Sequence, residues 1–374
     1  MFPRAYCSPS CLGNILESGG ESLKLTKEYY IISCLKCWVV SQAVVDAVCE
    51  SVQRRASKFI QDVGRGVVLG STEAAIGSLE IIRDAASTCK NTFRNFLISF
   101  IPSVIASRPS SQVVENVLRK YLEEFVAVKN ERGFDEAVEV TQCIVDSLIK
   151  ELDLVRDAIA EIGSKRVEDG DTILTHSYST TVLRTLKKAV ERGSVFRVYV
   201  TESRPIGEGR VTASNLSRLG IETTLIVDSA VRYVMKRVSK VLVGADAIAI
   251  NGAVVNKVGT SAIALAAKEA RARLFVLAGV YKLSFETIFG ELIEQVFLED
   301  ASLVISKERI QELPKGVRVS APLFDVTPPE YVDAIITEKG VLAPQAIPVL
   351  VASLYGWPPK IRSLRDLLVE VGKD

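Results

Sequence analysis

The residue types best suited to chemistry in this chain are concentrated in residues 244–260. That segment follows the apolar run Val241–Val243, which we predict to be a strand, and ends where we expect a helix to begin. In an open parallel sheet, ligands bind beyond the carboxyl ends of the strands, and the first N–H groups of a helix attract anions. The segment therefore predicts a small anionic ligand, although its spacing also fits a tight connection whose threonine caps a helix. Its candidate site residues are Asp246, Asn256, Lys257, Gly259 and Thr260.

The second half of the chain contains the predicted strands and helices that would position these residues. After Gly170, short β-branched or aromatic runs alternate with helix-like segments. Strands that alternate with helices predict βαβ units and a Rossmann-like parallel sheet. The predicted strands are Ile173–Thr175, Phe196–Thr201, Thr223–Val227, Val241–Val243 and Leu274–Ala278, with helices near 180–192, 211–219, 229–237 and 261–272.

The loops that follow these strands carry further polar residues. Because the carboxyl ends of parallel strands open on one edge, we expect these loops to converge on one crevice. A single arginine or lysine there would fit a structural ion pair, but several together favour a phosphate ligand, since arginine binds phosphate by a planar fork and lysine by a point charge. The candidates added by this argument are His176, Ser177, Arg204 and Lys282, together with Arg108 from the preceding helical region.

The chain of 374 residues is longer than one hydrophobic core usually serves. We predict a poorly ordered leader at 1–25, an all-helical N-terminal domain at 26–165 and the Rossmann-like α/β domain at 166–374. The helical prediction rests on apolar residues at helical spacing, such as Val114, Val117, Leu118 and Tyr121.

The composition narrows the class of protein. The net charge of +1 supplies no strong positive electrostatic field that would attract nucleic acid. No apolar run is long enough to span a membrane. Without a signal peptide, a soluble cytoplasmic protein is expected. The seven cysteines favour free thiols over a disulfide framework. Cys7, Cys11, Cys34 and Cys37 could bind zinc, but small buried cysteines are the commoner case. We predict neither metal nor cofactor.

Several motifs in order show a resemblance to a known family. They are Asp171–Ser179, Tyr199–Pro205, Thr224–Ala230, the segment 244–260 and Phe324–Asp333. The chain is identified by them as a member of the family that contains the α, β and δ subunits of translation initiation factor 2B. That family also contains isomerases of ribose-1,5-bisphosphate and of 5-methylthioribose-1-phosphate.

The resemblance implies a catalytic pair that this chain keeps only in part. In the isomerases a cysteine follows Thr-His and works with the aspartate of Gly-Ala-Asp, which is Asp246 here. The cysteine position is Ser177. A serine hydroxyl is a much weaker acid than a thiol, and His176 is the only base that the neighbouring sequence offers. His176 also fits a structural role at the end of a strand.

Two further departures concern the pocket that the resemblance implies. The isomerases carry Arg-Gly-Ala where this chain has Leu69-Gly70-Ser71, and often Glu-Thr-Tyr-Lys where it has Gly279–Lys282. The segment Thr175–Arg184 resembles the regulatory α-type subunits, which lack the cysteine.

We therefore predict a non-catalytic, regulatory initiation factor 2B-like protein that binds a nucleotide or sugar phosphate. Initiation factor 2 is the partner that the resemblance implies, and a homodimer or larger homo-oligomer is expected. The alternative is a ribose-1,5-bisphosphate isomerase in which Asp246 acts with Ser177 or His176.

Overall fold

The computed structural model describes residues 48–289, 304–314, 316–320 and 322–373. The predicted leader, the beginning of the predicted helical domain and four cysteines, Cys7, Cys11, Cys34 and Cys37, lie outside the described residues.

Helices form the first part of the described chain. The apolar positions that predicted a helical region, Val114, Val117, Leu118 and Tyr121, lie on one helix and are all buried in one core with residues of the neighbouring helices. The helices are α1 (48–64), α2 (Ser71–Thr88), α3 (Phe93–Ser107), α4 (Gln112–Arg132) and α5 (Phe134–Ser164).

The last helix of the chain, α12 (Leu364–Gly372), joins this helical core. Leu367 and Val371 are buried with it, and the Lys129 ammonium on α4 donates a 2.7 Å hydrogen bond to the Glu370 carbonyl oxygen. The helical core thus takes in residues beyond 165, while the domain boundary itself stays a prediction.

A seven-stranded sheet follows, in the order β10 (Gly340–Leu342), β9 (Ala334–Thr337), β7 (Arg273–Leu277), β4 (Lys240–Val243), β1 (Thr172–Thr175), β2 (Arg197–Thr201) and β3 (Glu222–Ile226). Its strands are parallel except β10, which pairs antiparallel with β9. The predicted fold class, a helical region followed by a Rossmann-like α/β region, is confirmed.

Helices connect or flank these strands. Within this region they are α6 (Thr180–Glu191), α7 (Gly209–Arg218), α8 (Val231–Met235), α9 (Thr260–Ala270), α10 (Lys307–Gln311) and α11 (Ile347–Tyr355). None of the described helices has the length and apolar composition that a membrane crossing requires.

The segment 244–260 is not the simple strand-to-helix connection that was one reading of its spacing. It contains β5 (Ala247–Ile248) and β6 (Val254–Lys257), which form a small antiparallel sheet with β8 (Phe324–Thr327). Pairing with β8 brings Asp325 opposite Asn256. Sequence periodicity missed β5 and β6 because they are short and buried on both faces.

The expectation of free thiols is wrong for two cysteines. Cys49 on α1 and Cys89 at the end of α2 form a disulfide, with a Cα–Cα distance of 5.1 Å. Their proximity depends on how α1 packs against α2, which the cysteine count could not reveal.

Candidate functional site

A polar pocket lies where the helical region meets the carboxyl edge of the sheet. It is lined by residues 69–73 at the start of α2, 177–181 at the start of α6 and 244–246 after β4, together with Arg108, Asn256 and Lys282. Five of the ten residues proposed from sequence therefore lie on it, namely Arg108, Ser177, Asp246, Asn256 and Lys282. The other five do not line it: His176, Arg204, Lys257, Gly259 and Thr260.

Two helices begin at this pocket, α2 at Ser71 and α6 at Thr180. The N-cap residue of α2 is Gly70, which has no side chain to bind the first N–H groups. Helix N-termini carry partial positive charge and bind phosphate and carboxylate groups. The Glu73 carboxylate also lines the pocket, and its charge is balanced by the Arg156 guanidinium at 3.0 Å.

Arg108 joins the helical region to the site. Its Nη2 donates to Asp246 Oδ1 at 3.1 Å, and its Nη1 donates to the carbonyl oxygens of Val68 and Leu69, each at 3.2 Å. The side chains of Arg108 and Asp246 are only 11% and 9% exposed. The Asp246 carboxylate is thus held in place at the pocket by a planar, always charged partner.

Lys282 reaches the same pocket from the loop after β7. Its ammonium donates to the Ser71 hydroxyl at 2.9 Å and to the Ala245 carbonyl oxygen. Burial lowers the pKa of Lys282, while the nearby carboxylates of Asp246 and Glu73 counteract part of that effect. The side chain is a cation placed between the start of α2 and the tip of β4.

Every polar group of Ser177 makes a hydrogen bond. Its N–H donates to Ser203 Oγ at 2.8 Å, its carbonyl oxygen accepts from Thr212 Oγ1 at 2.7 Å, and its hydroxyl donates to Glu208 Oε1 at 3.0 Å. Its φ of 68° lies in the left-handed region that residues with a Cβ rarely adopt.

Glu208 is the residue that sequence reasoning missed. It occupies the N-cap position of α7 and is buried beside Ser177 and Lys257. A Cβ at Gly209 would lie 1.8 Å from the Thr201 carbonyl oxygen, so only glycine lets α7 begin this close to β2. The flanking glycines Gly207 and Gly209 were the available signal, because they allow the close approach that buries Glu208.

The structure gives His176 a structural position. Its Nε2 lies 2.9 Å from the Val258 carbonyl oxygen and its Nδ1 lies 2.5 Å from Thr201 Oγ1. A carbonyl oxygen can only accept, so Nε2 carries the proton and Nδ1 accepts from the threonine. Burial lowers the pKa of His176, which keeps the ring neutral. The prediction that His176 binds the ligand is corrected, since both ring nitrogens are occupied.

Arg204 and Lys257 are also placed away from the pocket. Arg204 is exposed, and its guanidinium donates to the Val304 carbonyl oxygen at 3.0 Å. Lys257 is buried, and its ammonium lies 3.0 Å from Glu208 Oε1. The predicted phosphate contacts of both residues are therefore corrected.

The helix start at Gly259-Thr260 is already capped by the protein. Asp325 accepts from the N–H of Gly259 at 2.7 Å and from the N–H of Ser261 at 3.1 Å. The Thr260 hydroxyl accepts from Asn256 Nδ2 at 3.0 Å. The anion predicted at this helix start is thus a side chain of the protein, and the helix starts that face the pocket are those of α2 and α6. Among the described residues, no group of three or more His, Cys, Asp or Glu side chains is placed to hold a metal ion.

The fold and pocket define a class: an α/β protein whose polar ligand pocket lies between a helical region and the carboxyl edge of a parallel sheet. Residues 65–344 match the model of the Initiation factor 2 subunit family, and the chain belongs to that family.

Several archaeal relatives carry the name ribose 1,5-bisphosphate isomerase. The one from Methanocaldococcus jannaschii is 34% identical over 86% of this chain and 100% of its own length. The one from Thermococcus kodakarensis is 40% identical over 68% of this chain and 79% of its own length. With the Pyrococcus furiosus protein, 46% identical, the match covers 55% of this chain and 63% of the relative.

Solved structures give the same fold. The translation initiation factor eIF-2B of Pyrococcus horikoshii OT3 is similar with a TM-score of 0.65 and 28% identity, over 78% of this chain and 97% of that chain. The 5-methylthioribose 1-phosphate isomerase of the same organism has a TM-score of 0.64 over 80% of this chain and 87% of that chain; at 23% identity it is a likeness of fold alone.

These findings overturn the prediction of a non-catalytic regulatory protein. Five relatives at 34% to 49% identity are named as isomerases of ribose 1,5-bisphosphate. That prediction gave decisive weight to Ser177. The expectation that initiation factor 2 is a partner depended mainly on the regulatory prediction, so its main support is lost.

Proposed function

We propose that the protein is an aldose–ketose isomerase that converts ribose 1,5-bisphosphate into the ketose bisphosphate. The observation that carries this proposal is the meeting of Asp246 and Ser177 on one pocket that also holds an arginine, a lysine and two helix starts. The relatives named for this reaction support the choice of substrate.

The reaction needs acid–base groups and no outside oxidant or reductant. The proton on sugar carbon C2 moves to C1. The proton on the C2 hydroxyl moves to the ring oxygen as the bond between C1 and the ring oxygen breaks. Positioned side chains perform such transfers. We assign the transfer between the two oxygens to Asp246 and the transfer at carbon to Ser177.

A bisphosphate substrate also needs two positions for negative charge. We assign the positive ends of α2 and α6, with Arg108 and Lys282, to its phosphates. The chain lacks an arginine at Leu69, but the guanidinium of Arg108 lies against the Leu69 carbonyl oxygen and supplies positive charge there. This pocket is polar enough to select a phosphorylated sugar.

The test is an isomerase assay on purified protein, with formation of the ketose bisphosphate followed by NMR. Asp246→Asn should lower kcat by roughly 100- to 10,000-fold, the usual contribution of a positioned acid or base. Asp157→Asn is the matched control, because Asp157 is an exposed carboxylate paired with Arg184 at the surface. A wild-type protein that forms no ketose, or an Asp246→Asn protein with full activity, would contradict the proposal.

A homodimer or larger homo-oligomer remains our expectation, supported by the family resemblance. Light scattering that gives the mass of one chain at micromolar concentration would contradict it.

A further inference from the structure

We propose that Glu208 is the proton acceptor behind Ser177, so that a serine–carboxylate pair performs the proton transfer at carbon. The proposal rests on the isomerase function proposed above. It explains how a chain with serine at this position can catalyse the reaction that the resemblance assigns to a cysteine.

The geometry connects the pocket to Glu208 through Ser177. Ser177 lines the pocket, whereas Glu208 does not and is 4% exposed. Glu208 Oε1 lies 3.0 Å from the Ser177 hydroxyl oxygen and 3.0 Å from the Lys257 ammonium nitrogen. Within the part of the chain that the structure describes, no hydrogen-bond donor reaches Glu208 Oε2. A proton that leaves the pocket through Ser177 therefore meets a buried carboxylate.

Stability alone does not account for this arrangement. Glu208 and Lys257 would be paired without Ser177, and a buried ion pair is often no more stabilising than apolar side chains of the same size. Ser177 has a φ of 68°, and Ser203 and Thr212 bind its backbone N–H and carbonyl groups. Strained backbone that is held from several sides is concentrated at functional sites. Here it keeps the hydroxyl between the pocket and Glu208.

The proton transfers balance. The C2–H bond breaks as its proton passes to the Ser177 hydroxyl oxygen, and the proton of that hydroxyl passes to Glu208. The C2 electron pair forms a C1=C2 double bond while the bond from C1 to the ring oxygen breaks. The proton returns from Glu208 through Ser177 to C1, where the C1=C2 electron pair forms the new C–H bond. Asp246 carries the proton of the C2 hydroxyl to the ring oxygen, and the electron pair of the broken O–H bond forms the C2=O double bond. No atom or electron is gained or lost.

Two ionisable groups lie close to the Ser177–Glu208 pair and can affect its pH dependence. Lys257 on β6 faces Glu208 directly. His176, at the end of β1, lies close enough for the Glu208 charge to raise its pKa, although burial is the larger effect and lowers that pKa. Arg210 on α7 is paired with Glu202 instead. Glu208 touches no substrate in this scheme; it is a positioning residue that acts through Ser177.

Kinetics of four proteins test the inference: wild type, Glu208→Gln, Ser177→Cys and the double variant. Glu208→Gln should lower kcat by about 100-fold or more and leave KM within about threefold, because Glu208 lies outside the pocket. In the Ser177→Cys protein the same change should cost less than about tenfold, because a thiol of pKa about 8.5 ionises without a partner. An equal loss in both backgrounds would indicate a merely structural role and overturn the inference. If Glu208→Gln does not fold, Glu208→Gln with Lys257→Met keeps the site neutral.

A second measurement needs no turnover. The rate of iodoacetamide alkylation of Ser177→Cys, followed against pH by mass spectrometry of the peptide that contains residue 177, gives the pKa of the new thiol. Adding Glu208→Gln should lower this pKa by about one unit or more, since a carboxylate beside a thiol opposes the thiolate. Glu202→Gln, on the same loop, is the control and should leave the pKa unchanged.

The failures of the two proposals can be told apart. A wild-type protein that does not isomerise ribose 1,5-bisphosphate overturns the proposed function, while alkylation still decides whether the Glu208 charge acts on residue 177. An active wild-type protein whose Ser177→Cys variant keeps its thiol pKa after Glu208→Gln overturns the inference alone.

Discussion

Two groups of polar side chains lie side by side at the carboxyl edge of the sheet, and only one of them lines the pocket. The pocket group consists of Arg108, Ser177, Asp246, Asn256 and Lys282, which line the pocket. The buried group consists of His176, Lys257, Gly259, Thr260 and Asp325, which bind one another, Glu208 or nearby backbone. Both groups contain the residue types that suggest a phosphate site.

The difference shows that residue type alone does not mark a ligand site, because a carboxylate of the protein can neutralise a helix start or a lysine. The N–H groups at the start of α9 are bound by Asp325, and the charge of Lys257 is bound by Glu208. The start of α2, with Gly70 at its N-cap, has no side-chain cap. Access to the pocket, more than residue type, separates the two groups.

The largest expected effect is on the stability of the protein and concerns Lys257, which belongs to the buried group and should stabilise the fold. Lys257→Met leaves the Glu208 charge buried without its cation, and breaking a buried pair in this way costs about 3–5 kcal/mol of unfolding free energy. Lys187→Met at an exposed surface pair should change it by less than about 1 kcal/mol. Urea unfolding measures both. Unchanged stability combined with weaker sugar-phosphate binding would move Lys257 into the pocket group.

Strands β1, β2, β3, β4 and β7, the helices between them and the family of this chain could be predicted from its sequence, because apolar periodicity and motif order can be observed along the chain. The short strands β5, β6, β8, β9 and β10 were not predicted. All five residues of the pocket group were proposed from the sequence; Asp246 and Ser177, for example, each follow a strand of the parallel sheet. Glu208 could not be assigned, because its role depends on Lys257, 49 positions along the chain, and on the close approach at Gly209.

The buried group was misread for the same physical reason. Asp325 caps α9 across a separation of 66 residues, and the pairing of β6 with β8 brings it there. His176 is bound by Thr201 and by the Val258 carbonyl oxygen, and its neutral state follows from burial. Such contacts depend on tertiary packing, whereas the sequence shows only which donors and acceptors exist.

A smaller effect is expected at Lys282, within the pocket group. Lys282→Met should weaken ribose 1,5-bisphosphate binding by about 1.5–3 kcal/mol, the range for a hydrogen bond to a charged group. Lys282 attracts phosphate only when protonated, and burial lowers its pKa. Wild-type binding should therefore weaken as the pH rises, beginning below the range of an ordinary lysine, and the variant should lack this dependence. Calorimetry at several pH values measures this dependence, with Lys187→Met as the control. Identical pH profiles for wild type and Lys282→Met would show that Lys282 does not bind the phosphate.

The smallest effect is expected at Asp325, in the buried group. Burial raises the pKa of Asp325 from its ordinary 3.8 to about 6, despite two backbone N–H groups that favour the charged form. The folded protein then holds a proton that the unfolded chain releases between about pH 4 and pH 6, so this carboxyl contributes less stability as the pH rises through that range. Asp325→Asn cannot titrate. The unfolding free energy of wild type relative to Asp325→Asn should therefore fall between about pH 4 and pH 6 in urea titrations and stay level above that range. A rise instead would mean that the α9 N-terminus holds Asp325 ionised, with its dipole outweighing burial.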